Sequence, residues 1–164
     1  MAHAPVLRYD LLPQLNRPLD GGSGLFGANK TWRGALCMSG GTIGAAVALS
    51  RVGSFREKLP PGLHDASPLA YGALLGAGVV LGELPNSFLK RRLGIAPGAR
   101  QKSAAGVAIA LLDQGDFVLF SRLTLAPLWR MSARETLESF AVVAAVHSAV
   151  NVVGYAIGAR SSPV

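Results

Sequence analysis

Four apolar stretches follow a polar N-terminal segment, residues 1–34, which is rich in proline and glycine. The apolar stretches cover approximately residues 35–53, 67–85, 103–126 and 135–158. Each is close to the ~20 residues that a helix needs to cross ~30 Å of hydrocarbon. The pattern therefore predicts an all-α, polytopic integral membrane bundle with about four transmembrane helices. It also indicates a single membrane domain over residues 1–164.

Glycines four positions apart recur in the first two apolar stretches. The pairs are Gly40/Gly44, Gly72/Gly76 and Gly78/Gly82. Small residues at this spacing let helix backbones approach closely in lipid. The pairs therefore predict close helix–helix contacts, and such faces are compatible with a homodimer.

Composition and charge support a membrane location. The chain is 50% hydrophobic and 15% charged, with a mean hydropathy of +0.37, whereas a soluble domain carries about 25% charged residues. The net charge is +7, but the basic residues lie between apolar stretches. This favours loops beside anionic lipid over a nucleic-acid partner.

The distribution of basic residues predicts the orientation of the bundle. Four spans place both termini and the loop around residues 86–102 on one side, which carries ten Lys and Arg residues against six on the other. The positive-inside rule assigns the richer side to the cytoplasm. We therefore expect a multi-pass plasma-membrane protein whose functional site faces the cytoplasm.

Two aspartates inside the third apolar stretch are the strongest chemical signal. Asp113 and Asp116 are three residues apart, so a helix points both carboxylates toward the same face. A charge at this depth costs about 2.5–3.5 kcal/mol on insertion scales. Either one acid pairs with an arginine from a neighbouring helix or caps a broken helix, or a divalent cation lies between the two acids. Two acids on one face favour the cation, and carboxylate oxygens suit Mg2+.

A second group of polar side chains precedes this stretch: Glu83, Ser87, Lys90, Arg91 and Arg92. Adjacent cations at a membrane exit commonly anchor a helix end. In this chain the three basic residues are expected in a loop, on the same face as Asp113 and Asp116. A turn at residues 94–98 could fold them back over those acids.

A third cluster lies just before the first apolar stretch, in the segment GANKTWRG over residues 27–34. The spacing of Lys30 and Thr31 from the preceding glycines does not match a P-loop. Lys30, Thr31 and Arg33 instead open a helix whose first amides favour an anion. The alternative is a membrane-entry loop with Trp32 at the interface.

A polar stripe on the last apolar stretch consists of His147, Asn151 and Tyr155. Such stripes commonly form hydrogen bonds between membrane helices. Lining a substrate site is the alternative.

These motifs together resemble the CDP-archaeol synthase family, within the phosphatidate cytidylyltransferase superfamily. The matching segments are NRPLDGG, FGANKTWRG, GELPNSFLKRRLGIAPG, LLDQGDF and HSAVNVVGYAIG, in that order, over residues 16–158. The resemblance implies an integral membrane enzyme that uses Mg2+. This enzyme would transfer CMP from CTP to a lipid phosphate and release pyrophosphate.

The resemblance also implies roles for individual residues. The catalytic set is Asp113, Asp116, Lys90 and Arg91, with Asp113 and Asp116 as the metal ligands. The substrate-phosphate contacts are Lys30, Thr31, Arg33, Ser87 and Arg92. Asp20 in the PLDGG segment matches as well, without an assignable role. Three features depart from the family pattern. The helix that usually precedes the PLDGG segment is either absent in this branch or cut from the start, Ala28 stands where an acid is common, and Glu83 stands where aspartate is usual.

Two other classes of function compete with the transferase. A small ion-coupled transporter or channel subunit could use Asp113, Asp116 and His147 as an ion path. This reading gives no reason for two basic clusters on one side of the membrane. A structural subunit that packs through its glycine faces would tolerate asparagine at both aspartates.

Overall fold

The helices of the computed structural model follow the apolar stretches of the sequence. The structure describes residues 11–96 and 104–156, without the side chains of residues 104–114, His147 and Asn151. The helices are α1 (Trp32–Leu49), α2 (Gly53–Arg56), α3 (Pro61–His64), α4 (Pro68–Arg92), α5 (Ala104–Leu125) and α6 (Ala133–Ala156). A short 3-10 turn, Pro13–Leu15, precedes them. Within the described ranges there is no β-strand, in agreement with the all-α prediction.

Two of these helices, α4 and α6, are long and apolar enough to cross a membrane. This finding supports the prediction of a helical membrane protein. The two short helices α2 and α3 lie where the sequence predicted a loop between the first and second spans.

Helix α4 packs against α1 through its first pair of glycines. A methyl group built on Gly76 would lie 3.0 Å from the Cα of Ser39, and one on Gly72 would lie 3.1 Å from the Cα of Ile43. These distances are shorter than nearly all real Cβ contacts, so a side chain here would require α1 to move by a few tenths of an ångström, and glycine permits the close approach. The later glycine of α4 meets the earlier residue of α1, which means that the two helices run antiparallel.

The second pair of glycines brings α4 against α5. A methyl group on Gly78 would lie 2.7 Å from the Cα of Ser121, and one on Gly82 would lie 2.9 Å from the carbonyl oxygen of Asp116. This pair of helices is also antiparallel. The contacts predicted at both glycine pairs of α4 are therefore confirmed.

The remaining glycine pair, Gly40/Gly44 on α1, makes no such contact with a neighbouring helix among the described residues. A methyl group on Gly40 or on Gly44 would meet nothing within 4 Å in the described part of the chain. The close contact predicted for this pair is therefore not formed among the described residues.

The two ends of the α1–α4–α5 packing differ in character. At one end, Leu63, Tyr71 and Leu125 form an apolar core with Ala46, and the Tyr71 hydroxyl donates to the Ala46 carbonyl at 3.3 Å. The other end carries the start of α1 and the end of α4. The polar motifs of the sequence therefore meet at this second end.

The basic residues of the SFLKRR segment lie on a helix, which corrects the prediction of a loop at residues 86–92. Helix α4 continues past Pro85 to Arg92, although an interior proline removes one hydrogen bond of the ladder and its ring crowds the carbonyl four residues earlier. The last residues of the helix, 89–92, favour helix. Gly94, with φ +69°, then ends the helix. Ile95 N donates to the Lys90 carbonyl at 2.9 Å, as in a Schellman cap. The remainder of the predicted turn, residues 97–98, lies outside the described residues.

The chain divides into two compact units, one running to Arg130 and the other beginning at Met131. The second unit contains α6, which begins with a reciprocal cap: Glu135 N donates to the Ser132 hydroxyl at 3.2 Å, and Ser132 N donates to the Glu135 carboxylate at 2.7 Å. Of the predicted polar stripe on α6, Tyr155 is exposed. The other two side chains of that stripe lie outside the described residues. One membrane domain over residues 1–164 stays a prediction.

Candidate active site

A loop between residues 19 and 30 leads into α1 and is closed at its base by backbone hydrogen bonds. Leu19 N donates to the Lys30 carbonyl at 2.8 Å, and Trp32 N donates to the Arg17 carbonyl at 3.1 Å. This short antiparallel pairing fixes where the segment enters the helix. The backbone of Lys30 is therefore held in place before its side chain makes any contact.

Asp20 organises the interior of this loop. Its carboxylate accepts hydrogen bonds from Gly22 N and from Phe26 N, both at 3.0 Å. The Phe26 N–H in particular, aided by that of Gly22, holds the pKa of the Asp20 carboxyl below its usual value of 3.8. The structure thus gives a loop-organising role to a residue for which the sequence suggested none.

The loop contacts the basic end of α4 at Gly27. This glycine is buried and has φ +92°, which disfavours any larger residue. A methyl group there would lie 3.4 Å from both Cδ and Nε of Arg91. Arg91 Nε is buried and makes no hydrogen bond with any residue that the structure describes. The N-terminal motif and the basic motif, distant in sequence, are therefore in contact.

Thr31 caps the start of α1. Its hydroxyl oxygen accepts from Gly34 N at 3.1 Å, and its carbonyl accepts from Ala35 N at 3.0 Å. Trp32 N is bonded to the Arg17 carbonyl as described above. These amides are therefore occupied within the chain, and the expectation that they hold an anion is wrong for them. Trp32 itself is 53% exposed, as the membrane-entry interpretation expected.

The Lys30 ammonium forms an ion pair with the carboxylate of Glu83 on α4. The Lys30 side chain is 22% exposed and that of Glu83 is 38% exposed, so a ligand can reach both groups. The sequence indicated Glu83 only as a polar neighbour of the basic motif. Its partner lies 53 positions away, and a linear pattern does not reveal such a pairing.

This ion pair borders a cavity of about 420 Å³ between the start of α1 and the second half of α4. Its polar side is formed by Asn29, Lys30 and Glu83, and its apolar side by Met38, Val80 and Leu84. The volume falls within the ~300–1,000 Å³ range of small-molecule sites. The cavity was not foreseen from the sequence, because its apolar residues look like any others in a membrane helix.

Arg33 also lines the cavity, although its side chain is 6% exposed. Its guanidinium donates to the Leu11 carbonyl at 3.3 Å. Arg33 therefore holds the segment that precedes the loop, in addition to contributing positive charge.

The remaining basic-motif residues lie further along α4. Ser87 is buried, and Lys90 is half-buried. Arg92 is exposed, with its guanidinium carbon 5.0 Å from the centre of the Phe88 ring, a surface cation–π contact. Among the described residues that line the cavity, neither Ser87 nor Arg92 is present.

The two predicted metal ligands lie on α5. The backbone of Asp116 contacts α4 at Gly82, next to Glu83, and its side chain is half-buried. The side chain of Asp113 lies outside the described residues. Within the described part of the chain, no group of three acidic, histidine or cysteine side chains surrounds a common point. The carboxylates of Asp116 and Glu83 nevertheless come from helices in direct backbone contact.

Comparison with known proteins identifies the family. The family model of CarS-like CDP-archaeol synthase matches residues 14–163. The CDP-archaeol synthase of Halobacterium salinarum is 32% identical over 158 residues, covering 90% of this chain and 83% of the relative. That of Pyrococcus abyssi is 32% identical over 144 residues, covering 87% and 77%, and that of Methanosarcina acetivorans is 29% identical over 165 residues, covering 90% of each. No solved structure matches the chain. These matches confirm the resemblance seen in the motifs and give no support to a transporter: the chain belongs to the CDP-archaeol synthase family.

Proposed function

We propose that this protein transfers CMP from CTP to the phosphate of a membrane lipid and releases pyrophosphate. Membership of a family of cytidylyltransferases of lipid biosynthesis supports this activity. The structural observation that carries the proposal is the meeting of two basic motifs at one end of the helix packing. Lys30 reaches Glu83 on α4, and Arg91 of α4 packs against Gly27 of the N-terminal loop.

The reaction requires two polyanions to approach each other. An oxygen of the lipid phosphate attacks the α-phosphorus of CTP and forms a new P–O bond. The bond between the α-phosphorus and the bridging oxygen breaks, and pyrophosphate leaves with that electron pair. Lys30, Lys90 and Arg91 offset the repulsion and the charge on the departing pyrophosphate. Charge compensation and positioning supply most of the catalysis in phosphoryl-type transfers, so no protein nucleophile is required.

The other predicted phosphate contacts have different parts in the proposal. Thr31 fixes the start of α1 through its cap, and Arg33 fixes the preceding segment through the Leu11 carbonyl. Both orient Lys30 and add polar surface to the cavity. Ser87 and Arg92 are proposed to contact phosphate on the α4 side of the site.

Asp113 and Asp116 are the proposed ligands of Mg2+, joined by Glu83 from α4. The donor set fits this ion, because Mg2+ prefers carboxylate oxygens and retains waters beside substrate phosphates. The backbone contact between Gly82 and Asp116 supports a shared site on the two helices. When bound, the ion would withdraw negative charge from the phosphates of CTP.

The proposed membrane arrangement has four spans, formed by α1, α4, α5 and α6, in the plasma membrane with the site facing the cytoplasm. The excess of Lys and Arg on the side of both termini supports this orientation. It is tested by Gln14→Cys and Ser54→Cys in a Cys37→Ser background. An impermeant maleimide added to intact cells should label the Ser54→Cys variant but not the Gln14→Cys variant. Crosslinking in the same membranes tests for a homodimer.

The activity itself is tested with purified protein in mixed micelles. Labelled CTP, Mg2+ and a diether or diacyl glycerol phosphate should yield CDP-lipid and pyrophosphate in equal amounts. Omitting the acceptor lipid should stop pyrophosphate release. CTP hydrolysis without CDP-lipid, or ion flux in liposomes without turnover of CTP, would contradict the proposal.

A further inference from the structure

Asp20 spans the loop between residues 19 and 30 with both oxygens of its carboxylate. Oδ1 accepts from Gly22 N at 3.0 Å, and Oδ2 accepts from Phe26 N at 3.0 Å. These amides, that of Phe26 first, lower the pKa of the carboxyl, so the group is ionised at neutral pH and both oxygens act as acceptors. The bond to Phe26 N crosses the loop and fixes the residue directly before Gly27.

Gly27 is consequently held on both sides. On its N-terminal side, Phe26 N is bonded to the Asp20 carboxylate. On its C-terminal side, the Gly27 carbonyl accepts from Lys30 N at 3.1 Å. Glycine is the residue with the most backbone freedom to lose, and these two bonds remove that freedom where the loop meets α4.

The side chain of Arg91 rests on the surface that Gly27 provides. A methyl group built on Gly27 would lie 3.4 Å from both Cδ and Nε of Arg91, so the glycine backbone packs against this part of the side chain. Arg91 Nε is buried and makes no hydrogen bond with any residue that the structure describes. In the described part of the chain, packing against Gly27 is therefore the contact that restrains Nε.

We infer that Asp20 is a positioning residue of the transferase, which holds Gly27 against Arg91 and thereby fixes where the Arg91 guanidinium lies. This role rests on the proposed function, in which Arg91 offsets charge on the departing pyrophosphate. Asp20 itself contacts neither substrate. An acid on a loop beside a site for polyanions would otherwise be a disadvantage, because it repels them.

Lys30 is held by contacts that do not involve the Asp20 side chain. The Lys30 carbonyl accepts from Leu19 N at 2.8 Å, and the Thr31 cap of α1 follows directly. The Lys30 ammonium pairs with Glu83 on α4. Loss of the Asp20 carboxylate should therefore displace Arg91 more than Lys30.

Steady-state kinetics of Asp20→Ala gives the first test. Misplacing a catalytic group by about 1 Å can cost about 100-fold, so kcat should fall about 10–100-fold with little change in the KM for CTP. An acid that acted only through its charge would give a different result, because its removal would lower that KM. Asp20→Asn, which keeps one acceptor, should change kcat in the same direction and replaces Asp20→Ala if the latter does not stay folded in detergent.

Asp65→Ala is the matched control for this substitution. It also removes an acid from a loop, and its side chain is 81% exposed, remote in sequence from both basic motifs. It should leave kcat unchanged. If Asp20→Ala keeps kcat within about twofold of the unsubstituted protein, the inference is overturned.

A substitution at Gly27 tests the same contact from the other side. Gly27→Ala has to abandon φ +92° or accept strain there, and either change disturbs the packing on Arg91. Its kcat should fall about as far as that of Asp20→Ala. Gly24→Ala is the matched control, because Gly24 has φ +78° and nothing within 4 Å of an added methyl group. Equal losses in the two glycine variants would show that backbone strain, rather than the contact with Arg91, sets the rate.

Double-mutant cycles identify the residue through which Asp20 acts. In an Arg91→Ala background, Asp20→Ala should cause less than about a twofold further loss of kcat, since residues that act as a unit are not additive. In a Lys30→Met background, the loss caused by Asp20→Ala should remain about 10–100-fold. Full additivity with Arg91→Ala would overturn the inference. So would non-additivity with both basic residues, because Asp20 would then act by maintaining the whole loop.

Chemical labelling reads the position of Arg91 without catalysis. Phenylglyoxal modifies accessible guanidinium groups, so half-buried Arg91 should react more slowly than exposed Arg92. In Asp20→Ala, the rate at Arg91 relative to Arg92, followed by mass spectrometry, should rise, whereas Gly24→Ala should not change it. An unchanged ratio in Asp20→Ala overturns the inference. If the unsubstituted protein makes no CDP-lipid, the proposed function is wrong, and the labelling still shows whether Asp20 holds Arg91.

Discussion

Replacing Lys30 by methionine removes one positive charge from the cavity and keeps a side chain of similar length. In the folded protein this charge pairs with Glu83, and both side chains are partly exposed. Exposed and half-exposed ion pairs contribute about 0–1 kcal/mol to stability. For a chain of this size, 1 kcal/mol shifts the unfolding midpoint by about 2–4 °C. Lys30→Met should therefore remain folded, with a small loss of thermal stability.

The expected effect on catalysis is much larger. A charged donor aimed at the phosphates of the transition state is comparable to an oxyanion-hole donor, whose removal costs about 10²–10³ in kcat. We expect Lys30→Met to lower CDP-lipid formation about a hundredfold at saturating CTP. Initial rates with labelled CTP and thermal unfolding are measured in the same detergent, so that the two effects can be compared directly.

A second ion pair supplies the control. Arg134 Nε lies 2.7 Å from the Glu138 carboxylate on the exposed surface of α6, and Arg134→Gln should change neither rate nor stability appreciably. The reasoning is refuted if Lys30→Met loses no more than about threefold of the activity of the unsubstituted protein, because the expected loss is about a hundredfold. It is also refuted if the midpoint falls by more than about 8 °C, because the ion pair would then be structural.

Three further predictions concern the metal, the packing and the loop. Asp116→Asn should abolish CMP transfer while the protein still elutes as a folded species in detergent, and full activity would exclude the metal assignment. Gly78→Val places its Cβ 2.7 Å from backbone of α5 and should cost about 1–3 kcal/mol of stability by overpacking. Gly40→Ala, in open space, should cost nothing in the same thermal scan. The lowered pKa of Asp20 means that its ionised form stabilises the loop fully above the usual value of 3.8, and that this stability is lost as the pH falls through the native pKa. Hydrogen exchange of the loop amides should therefore accelerate below about pH 4 relative to a free peptide, and Asp20→Asn should remove this dependence.

The helices were predictable because apolar length decides helix formation in lipid. Each of the four predicted stretches contains a helix whose described ends lie within a few residues of the expected ones, except at the end of α4. There the sequence predicted that the apolar stretch ends at residue 85 and that the basic residues after it lie in a loop. The helix instead runs through Pro85 to Arg92 and ends at the cap formed by Gly94.

The residue types that form the site could be predicted from the sequence, but the contacts that each of these residues makes could not. The motifs identified Lys30 and Arg91 and predicted both on the same side of the helical bundle. Which residues they touch depends on how α1 and α4 pack, and that is set by glycine contacts remote from the motifs. The sequence therefore did not reveal the ion pair with Glu83 or the contact of Arg91 with Gly27. The cap that the Thr31 hydroxyl oxygen makes with Gly34 N was likewise not foreseen, and the contact of Thr31 with phosphate stays a prediction.

The glycine pairs on the two faces of α4 make this helix a spacer of fixed thickness. No flexible side chain separates its backbone from α1 at Gly76 or from α5 at Gly82, so neither neighbour can shift toward it or be held further away by a rotamer change. The spacing between the backbone of α1 at Ser39 and the backbone of α5 at Asp116 is consequently set by the thickness of the α4 backbone. Substitutions on the exposed surfaces of the three helices can then leave the spacing of α1 and α5 unaltered, whereas one added methyl group at Gly76 or Gly82 would change it.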